Sequence, residues 1–212
     1  LTRSSAASDV YKRQVIFTSD HGYHLGEKGH WQKQALYDRA TKVPLIISGP
    51  GIQKNKRVKN TPVELVDIYR TVMDLLGLSS PDYVQGYSLK GVLTENLNHK
   101  RKSAISELRI NVGGEISQGY SIRTDRFRFT QWKYMDTIYN EIYDHKFDNS
   151  EDNNLINVLK YKKIQDSLNT ILQNRITEIN KKPKGLGRQF ENAKPTYEPI
   201  RIFSAKKQTQ SF

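Results

Sequence analysis

The sequence predicts an α/β layered domain followed by an α+β unit built on a small antiparallel sheet. Three observations carry that expectation. Uninterrupted apolar runs, Val15-Ile16-Phe17-Thr18 and Val43-Pro44-Leu45-Ile46-Ile47-Ser48, alternate with helical patterns as far as about residue 102. After residue 103 the strand-forming segments are short and partly alternating, between turn signals at Gly113-Gly114 and Thr124-Asp125-Arg126. A helical pattern then occupies residues 155–176. Continuous apolar runs suit strands buried on both faces, as in a mainly parallel sheet, whereas alternation suits strands with one dry face.

In chain order, residues 1–14 are small, polar and unpatterned, without a signal-peptide layout. They resemble a translated adapter at the end of a gene fragment, so they are expected to be a foreign leader, with the native fold starting near Val15. Residues 32–40 have the composition of a short helix. Thr61-Pro62-Val63-Glu64 reads as a helix start, with Thr as cap and Glu three residues on. Leu65, Ile68, Val72, Leu75 and Leu76 then form one stripe that Gly77 ends. Residues 104–144 supply the antiparallel strands, the last over 140–144. The helix of 155–176 carries Ile156, Leu159, Ile164, Leu168, Ile171, Leu172 and Ile176 near helical spacing. The expected units are therefore 15–102, 103–180 and a basic extended tail over 181–212.

Composition removes several function classes. No stretch approaches the roughly 20 apolar residues of a membrane-spanning helix, and without Cys there is no disulfide framework. The net charge is +12 over 212 residues. Residues 180–212 hold eight basic and two acidic residues, half of that excess. Such a balance favours anionic partners, whether sulfated or phosphorylated sugars, anionic lipid or nucleic acid. A basic nucleic-acid-binding module working through the tail is one reading. The tail has only Phe190, Tyr197, Phe203 and Phe212 as aromatics, without the interleaving that stacks bases.

The chemistry concentrates in TSDHGYHLGEKGHWQKQALYDRATKVP, residues 18–44. Asp20 and His21 follow a buried strand, at the carboxyl end where open α/β sheets bind ligands. A carboxylate and an imidazole there are donors for one divalent cation: Ca²⁺ or Mg²⁺ in oxygen-rich company, Zn²⁺ or Mn²⁺ with more nitrogen. They also read as a strand-end cap beside a surface imidazole. Gly22, Gly26 and Gly29 let the backbone close around a small ligand. Lys33 is a flexible cation suited to a tetrahedral anion. His24 and His30 read as hydrogen-bonded loop residues or as pocket walls, Glu27 as a brace for residues 26–31, and Trp31 as packing against Tyr37.

SDHGYHLGEKGHWQK followed by LYDRATKVPLIISGPG resembles the second signature of type I sulfatases of the alkaline phosphatase-like superfamily, nearest the iduronate-2-sulfatase-like branch. Pro62 to Tyr69 with Leu75-Leu76-Gly77-Leu78, the segment Val84-Gln85-Gly86-Tyr87-Ser88-Leu89, and Glu141-Ile142-Tyr143-Asp144 through Asp148, Glu151, Asn154 and Leu155 resemble later family blocks. His145 stands where the last block has Leu, and Asn149 where it has Pro.

The resemblance implies part of an alkaline phosphatase-like α/β sandwich and hydrolysis of sulfate esters on a sulfated polysaccharide or oligosaccharide. Asp20 and His21 match the family's metal ligands, the metal being Ca²⁺, and Lys33 matches the lysine that contacts sulfate. His24 and His30, flanking that segment, are expected at the substrate. The family nucleophile, a formylglycine made from Cys or Ser in C/S-x-P-S/A-R, has no matching motif in these 212 residues. The chain is therefore expected to be a carboxyl-terminal part, inactive alone, from a periplasmic or secreted enzyme. A phosphoesterase or phosphonate monoester hydrolase of the same superfamily shares the Asp-His pair and is the alternative.

Overall fold

The computed structural model describes residues 13–181 except 56, 59 and 60, so the expected leader and basic tail fall almost wholly outside the described residues. In order, the strands are β1 (Val15–Thr18), β2 (His24–Leu25), β3 (Trp31–Gln32), β4 (Leu45–Ser48), β5 (Ala104–Val112), β6 (Glu115–Arg123), β7 (Phe127–Tyr134) and β8 (Thr137–Asp144). The α-helices are α1 (Asp38–Thr41), α2 (Asp67–Leu75), α3 (Lys90–Thr94) and α4 (Lys162–Ile179).

β1 and β4 pair antiparallel, from Val15 opposite Ser48 to Thr18 opposite Leu45. The expected parallel relation fails here for a physical reason. A parallel neighbour needs a crossover of a dozen or more residues, usually a helix. The connection holds instead the β2–β3 hairpin and the single turn of α1, and the chain doubles back. The apolar content of the two strands is the same in either direction, so it carried no information on polarity. Val15, Phe17 and Ile46 are all more than half exposed.

The helix expected over 32–40 shrinks to α1. Trp31 and Gln32 pair with Leu25 and His24, and Gln32 has φ 73, which no helix tolerates. The helix expected from residue 61 begins at Asp67, because Glu64 does not close a capping box. Its carboxylate instead meets Arg101 and Arg175 at 2.9 and 2.7 Å. Asp67 and Thr71 are the buried residues of α2, while Leu65 and Leu76 of the apolar stripe are exposed.

β5, β6, β7 and β8 form an antiparallel meander in chain order. Gly113 and Gly114 have φ 62 and 95, the left-handed pair that a two-residue hairpin of right-handed twist requires. α4 lies on one face and buries Leu168 and Leu172 against Ile122, Phe129 and Ile142. Removing five such side chains from water, at about 1.5–3 kcal/mol each, makes this the main apolar core of the described residues. The other face is polar and holds residues 35–41. There a Cβ on Gly119 would lie 2.5 Å from the Trp132 ring and 2.7 Å from Leu36, so only glycine lets that segment seat.

Candidate active site

β1 delivers Ser19, Asp20 and His21 to its carboxyl end. Gly22 fixes the next bend: its N–H donates to the Ala40 carbonyl at 2.8 Å, and a Cβ there would lie 1.9 Å from the Arg39 carbonyl oxygen. The Ser19 hydroxyl donates to the His21 carbonyl at 2.8 Å, and the His21 N–H donates to Asp20 Oδ1 at 3.0 Å. The loop thus holds the acid and the imidazole side by side.

His21 Nδ1 lies 2.7 Å from the Gly22 carbonyl, which assigns the proton to Nδ1 and leaves a lone pair on Nε2. That nitrogen is 3.4 Å from Asp20 Oδ2 and accepts from Lys33 Nζ at 3.0 Å. The sequence pair and the lysine twelve residues on therefore converge on one atom. Partial desolvation raises the Asp20 pKa. The neighbouring His21 ring, two backbone hydrogen bonds and the Lys33 ammonium outweigh that and hold it below the ordinary carboxylate value. Asp20 is exposed and His21 about one-third exposed, so the arrangement opens to solvent.

The remaining loop residues are supports. Glu27 accepts from the Leu25 N–H at 2.7 Å and pairs with Arg39 at 3.5 Å. That backbone hydrogen bond is the first cause of its lowered pKa, and it matches the bracing role read from the sequence. His24 is fully buried, its ring 5.8 Å from that of His30 and 6.1 Å from that of Tyr37. Burial lowers its pKa, followed by the charge of His30. With no exposed surface His24 is a pillar of the loop, which corrects the expectation that it lines the substrate pocket. His30 is exposed and remains available. Trp31 is 68% exposed and sits over Gly26; the ring that packs T-shaped on Tyr37 from the sheet is Tyr143, at 6.0 Å. The expected Trp31–Tyr37 packing is thus replaced.

Sequence reasoning missed the cluster that anchors this loop to the meander. Asp38 and Glu151 are both bound by the Arg128 guanidinium. Arg128 also reaches Ser121 Oγ at 2.9 Å and Thr41 Oγ1 at 3.0 Å. The Asp38 N–H donates to Glu151 Oε2 at 2.8 Å. His145 lies 3.0 Å from Glu151 and 3.7 Å from Asp38, and Lys28 binds the Glu151 carbonyl and, at 3.1 Å, Asp152. Asp38, His145 and Glu151 are close enough to share a cation. The Arg128 fork already fills that place, so the cluster is an ion-pair lock. Its signal lay in the sequence as the spacing of Glu141, Asp144, Asp148, Glu151 and Asn154, whose partners lie far along the chain. Asp144 takes Arg126 at 2.7 and 2.6 Å, and Asn154 Oδ1 accepts the Ile142 N–H at 3.1 Å.

The strand pair, the antiparallel meander and its helix place the chain in the fold class of the sulfatases, the alkaline phosphatase-like class. The profile of N-sulphoglucosamine sulphohydrolase, C-terminal, matches residues 26–179, and the chain belongs to that family. A sulfatase from Formosa agariphila is 34% identical over 158 residues, covering 74% of this chain and 29% of the relative. An N-acetylglucosamine-6-O-sulfatase from Bacteroides thetaiotaomicron is 30% identical over 163 residues, covering 75% and 29%. The chain thus spans less than a third of the length of these relatives. A crystal structure of a Bacteroides thetaiotaomicron putative sulfatase superposes with TM-score 0.70 at 29% identity, over 78% of this chain and 36% of that one. A phosphonate monoester hydrolase from Silicibacter pomeroyi superposes with TM-score 0.65 at 26% identity, over 77% and 35%.

Proposed function

We propose that the protein containing this chain hydrolyses sulfate esters of a sulfated saccharide. The observation that carries the reading is the meeting of Asp20, His21 and Lys33 at one imidazole nitrogen at the end of β1. Asp20 and His21 are its divalent-metal ligands. The donor set fits: an exposed carboxylate and an imidazole whose Nδ1 is tied to a carbonyl and whose Nε2 lone pair here accepts from Lys33. Ca²⁺ is the ion proposed, and when bound it supplies positive charge against the ester oxygens.

Lys33 turns its ammonium from His21 Nε2 to the sulfate and counters the charge that builds up as the S–O bond breaks. His30, exposed beside the loop, contacts the sugar. His24, Glu27 and Gly22 hold the backbone that presents Asp20 and His21. The nucleophile in this reading is a formylglycine hydrate supplied from outside these residues. A sulfated carbohydrate is the substrate, and a periplasmic or secreted location follows from the same reading.

The phosphonate monoester hydrolase likeness favours a second reading, phosphoester or phosphonate ester hydrolysis at the same residues. Paired assays of the full-length protein on p-nitrophenyl sulfate and p-nitrophenyl phosphate separate the two. Sulfate preference is expected, together with loss of turnover on chelation and its return with Ca²⁺; preference for phosphate reverses the assignment.

A further inference from the structure

The β2–β3 hairpin leads into both loop residues that the sulfatase reading places at the substrate: His30 lies in its turn and Lys33 directly follows β3. The two strands pair at two positions, His24 with Gln32 and Leu25 with Trp31. A two-stranded ladder that short is marginal by itself. Its backbone is also unfavourable. Gly26, Lys28, Gly29 and Gln32 have φ 113, 57, 70 and 73, and two of these four lack the freedom of glycine. Backbone of this kind persists only where its surroundings hold it, and it gathers at functional sites.

His24 anchors the base of the hairpin, and Lys28 anchors its tip. The backbone of Lys28 stands at the surface, yet its side chain turns inward and is only 18% exposed. Its ammonium donates to the Glu151 carbonyl and, at 3.1 Å, to Asp152 Oδ1, groups 123 and 124 residues further along the chain. It also lies 5.0 Å from the centre of the Tyr37 ring and 5.8 Å from that of Tyr143, within reach of cation–π attraction to both. Glu151 is itself left-handed, with φ 59, and is 1% exposed; Arg128 and His145 hold its carboxylate. A solvated surface lysine keeps its rotamer freedom. Lys28 has given that up to join the strained hairpin tip to a buried, fully bonded point of the sheet unit.

We infer that Lys28 is a positioning residue: by tying the hairpin tip to residues 151 and 152, it sets where His30 and Lys33 stand relative to Asp20 and His21. The inference rests on the sulfatase reading of Lys33. The Lys28 ammonium faces the sheet unit, so it acts through Lys33 and His30 and not on the substrate. Misplacing a reacting group by about 1 Å is enough to lower a rate by about 10²-fold.

The test is a double-mutant cycle on the full-length protein, with p-nitrophenyl sulfate turnover, thermal unfolding and amide hydrogen exchange read on each variant. Lys28→Met keeps the aliphatic stem and removes the ammonium. It is expected to lower kcat at least about tenfold, with KM changed less. In a Lys33→Ala background the same substitution is expected to lower kcat less than about threefold, because the group it positions is gone. Exchange of the amides of residues 26–33 is expected to quicken at least about fivefold well below the unfolding temperature. Asp152→Ala changes a side chain that is 64% exposed, loosens the same tie, and is expected to act in the same direction to a smaller extent; it carries the cycle if Lys28→Met does not fold. The inference is overturned if the losses at residues 28 and 33 multiply, or if stability falls while kcat of the folded variants is unchanged. A loss seen with glucosamine 6-sulfate but not with the aryl sulfate also overturns it, since that would make Lys28 a sugar contact. Absence of turnover in the unaltered protein counts against the sulfatase reading alone. Exchange then decides the tie, and unchanged exchange over 26–33 overturns it.

Discussion

Two clusters in this molecule are built from the same parts: carboxylate, imidazole and a cationic side chain. In one, Asp38, Glu151 and His145 close around Arg128, with the Arg128, Glu151 and His145 side chains at most 5% exposed. In the other, Asp20, His21 and Lys33 meet at a strand end open to water. The first satisfies every charge internally through a planar fork. The second leaves an exposed carboxylate, with the ammonium of an exposed lysine held only by the imidazole. Burial and the choice of Arg over Lys separate a lock from a site. Proximity of acidic groups and histidine alone would have ranked the lock as the metal centre.

The largest effect expected from breaking this contrast is in the lock. Arg128→Ala strands Asp38 and Glu151 without their shared cation, and about 3–5 kcal/mol of stability is expected to go, read by urea unfolding. A loss below about 1 kcal/mol would show that water or Arg123 substitutes for it. In the open cluster the outcome should invert. Lys33→Ala is expected to lower turnover of the full-length protein by about 10²–10³-fold while leaving the unfolding midpoint nearly unchanged. Equal turnover in the variant removes Lys33 from the reacting centre.

Acid sharpens the comparison further. Burial pushes the Asp38 and Glu151 carboxyls up. For Asp38, Arg128 and Arg123 more than offset it; for Glu151, the His145 hydrogen bond and Arg128 do. Both folded values therefore lie below the unfolded ones. Their contribution to stability is present above the unfolded values and disappears as pH falls through the folded ones, below roughly pH 4. The melting temperature should fall steeply there, and Glu151→Gln should flatten the curve; parallel curves would contradict the linkage. The smallest effect is at an exposed pair on α4. Lys162 and Asp166 are 2.8 Å apart with both side chains more than 60% exposed, so Lys162→Ala should change stability by less than about 0.5 kcal/mol.

Local patterns were legible wherever a local cause sufficed. The apolar run Val15-Ile16-Phe17 of β1, the Gly113-Gly114 hairpin and the alternation along β5 to β8 are short-range signals, and the structure follows them. The helix pattern from residue 155 was right in kind and early by about two turns. Leu155 is held at the edge of β8, its N–H donating to the Ile142 carbonyl at 2.9 Å, so α4 starts only at Lys162. The stretch 32–40 departs from a helix because Ala35 and Leu36 are buried in a bent segment, with Leu36 seated over Gly119 of the sheet, a contact no propensity encodes. At the candidate site, Asp20, His21 and Lys33 were readable as residue types at a strand end and in the following loop. That His24 is fully buried was not, because burial depends on His30 and Tyr37 together.

By itself the sequence determined the long strands, the Gly113-Gly114 turn, the family likeness and the residue types gathered at the carboxyl end of β1 and in the loop that follows. Those follow from side-chain period, glycine conformation and motif spacing, which act over a few residues. Tertiary structure alone decided the antiparallel sense of β1 and β4, the partner of Arg128 across the fold, and which histidine faces water. Each depends on groups brought together from distant parts of the chain, where hydrogen-bond geometry and desolvation, rather than local preference, set the outcome.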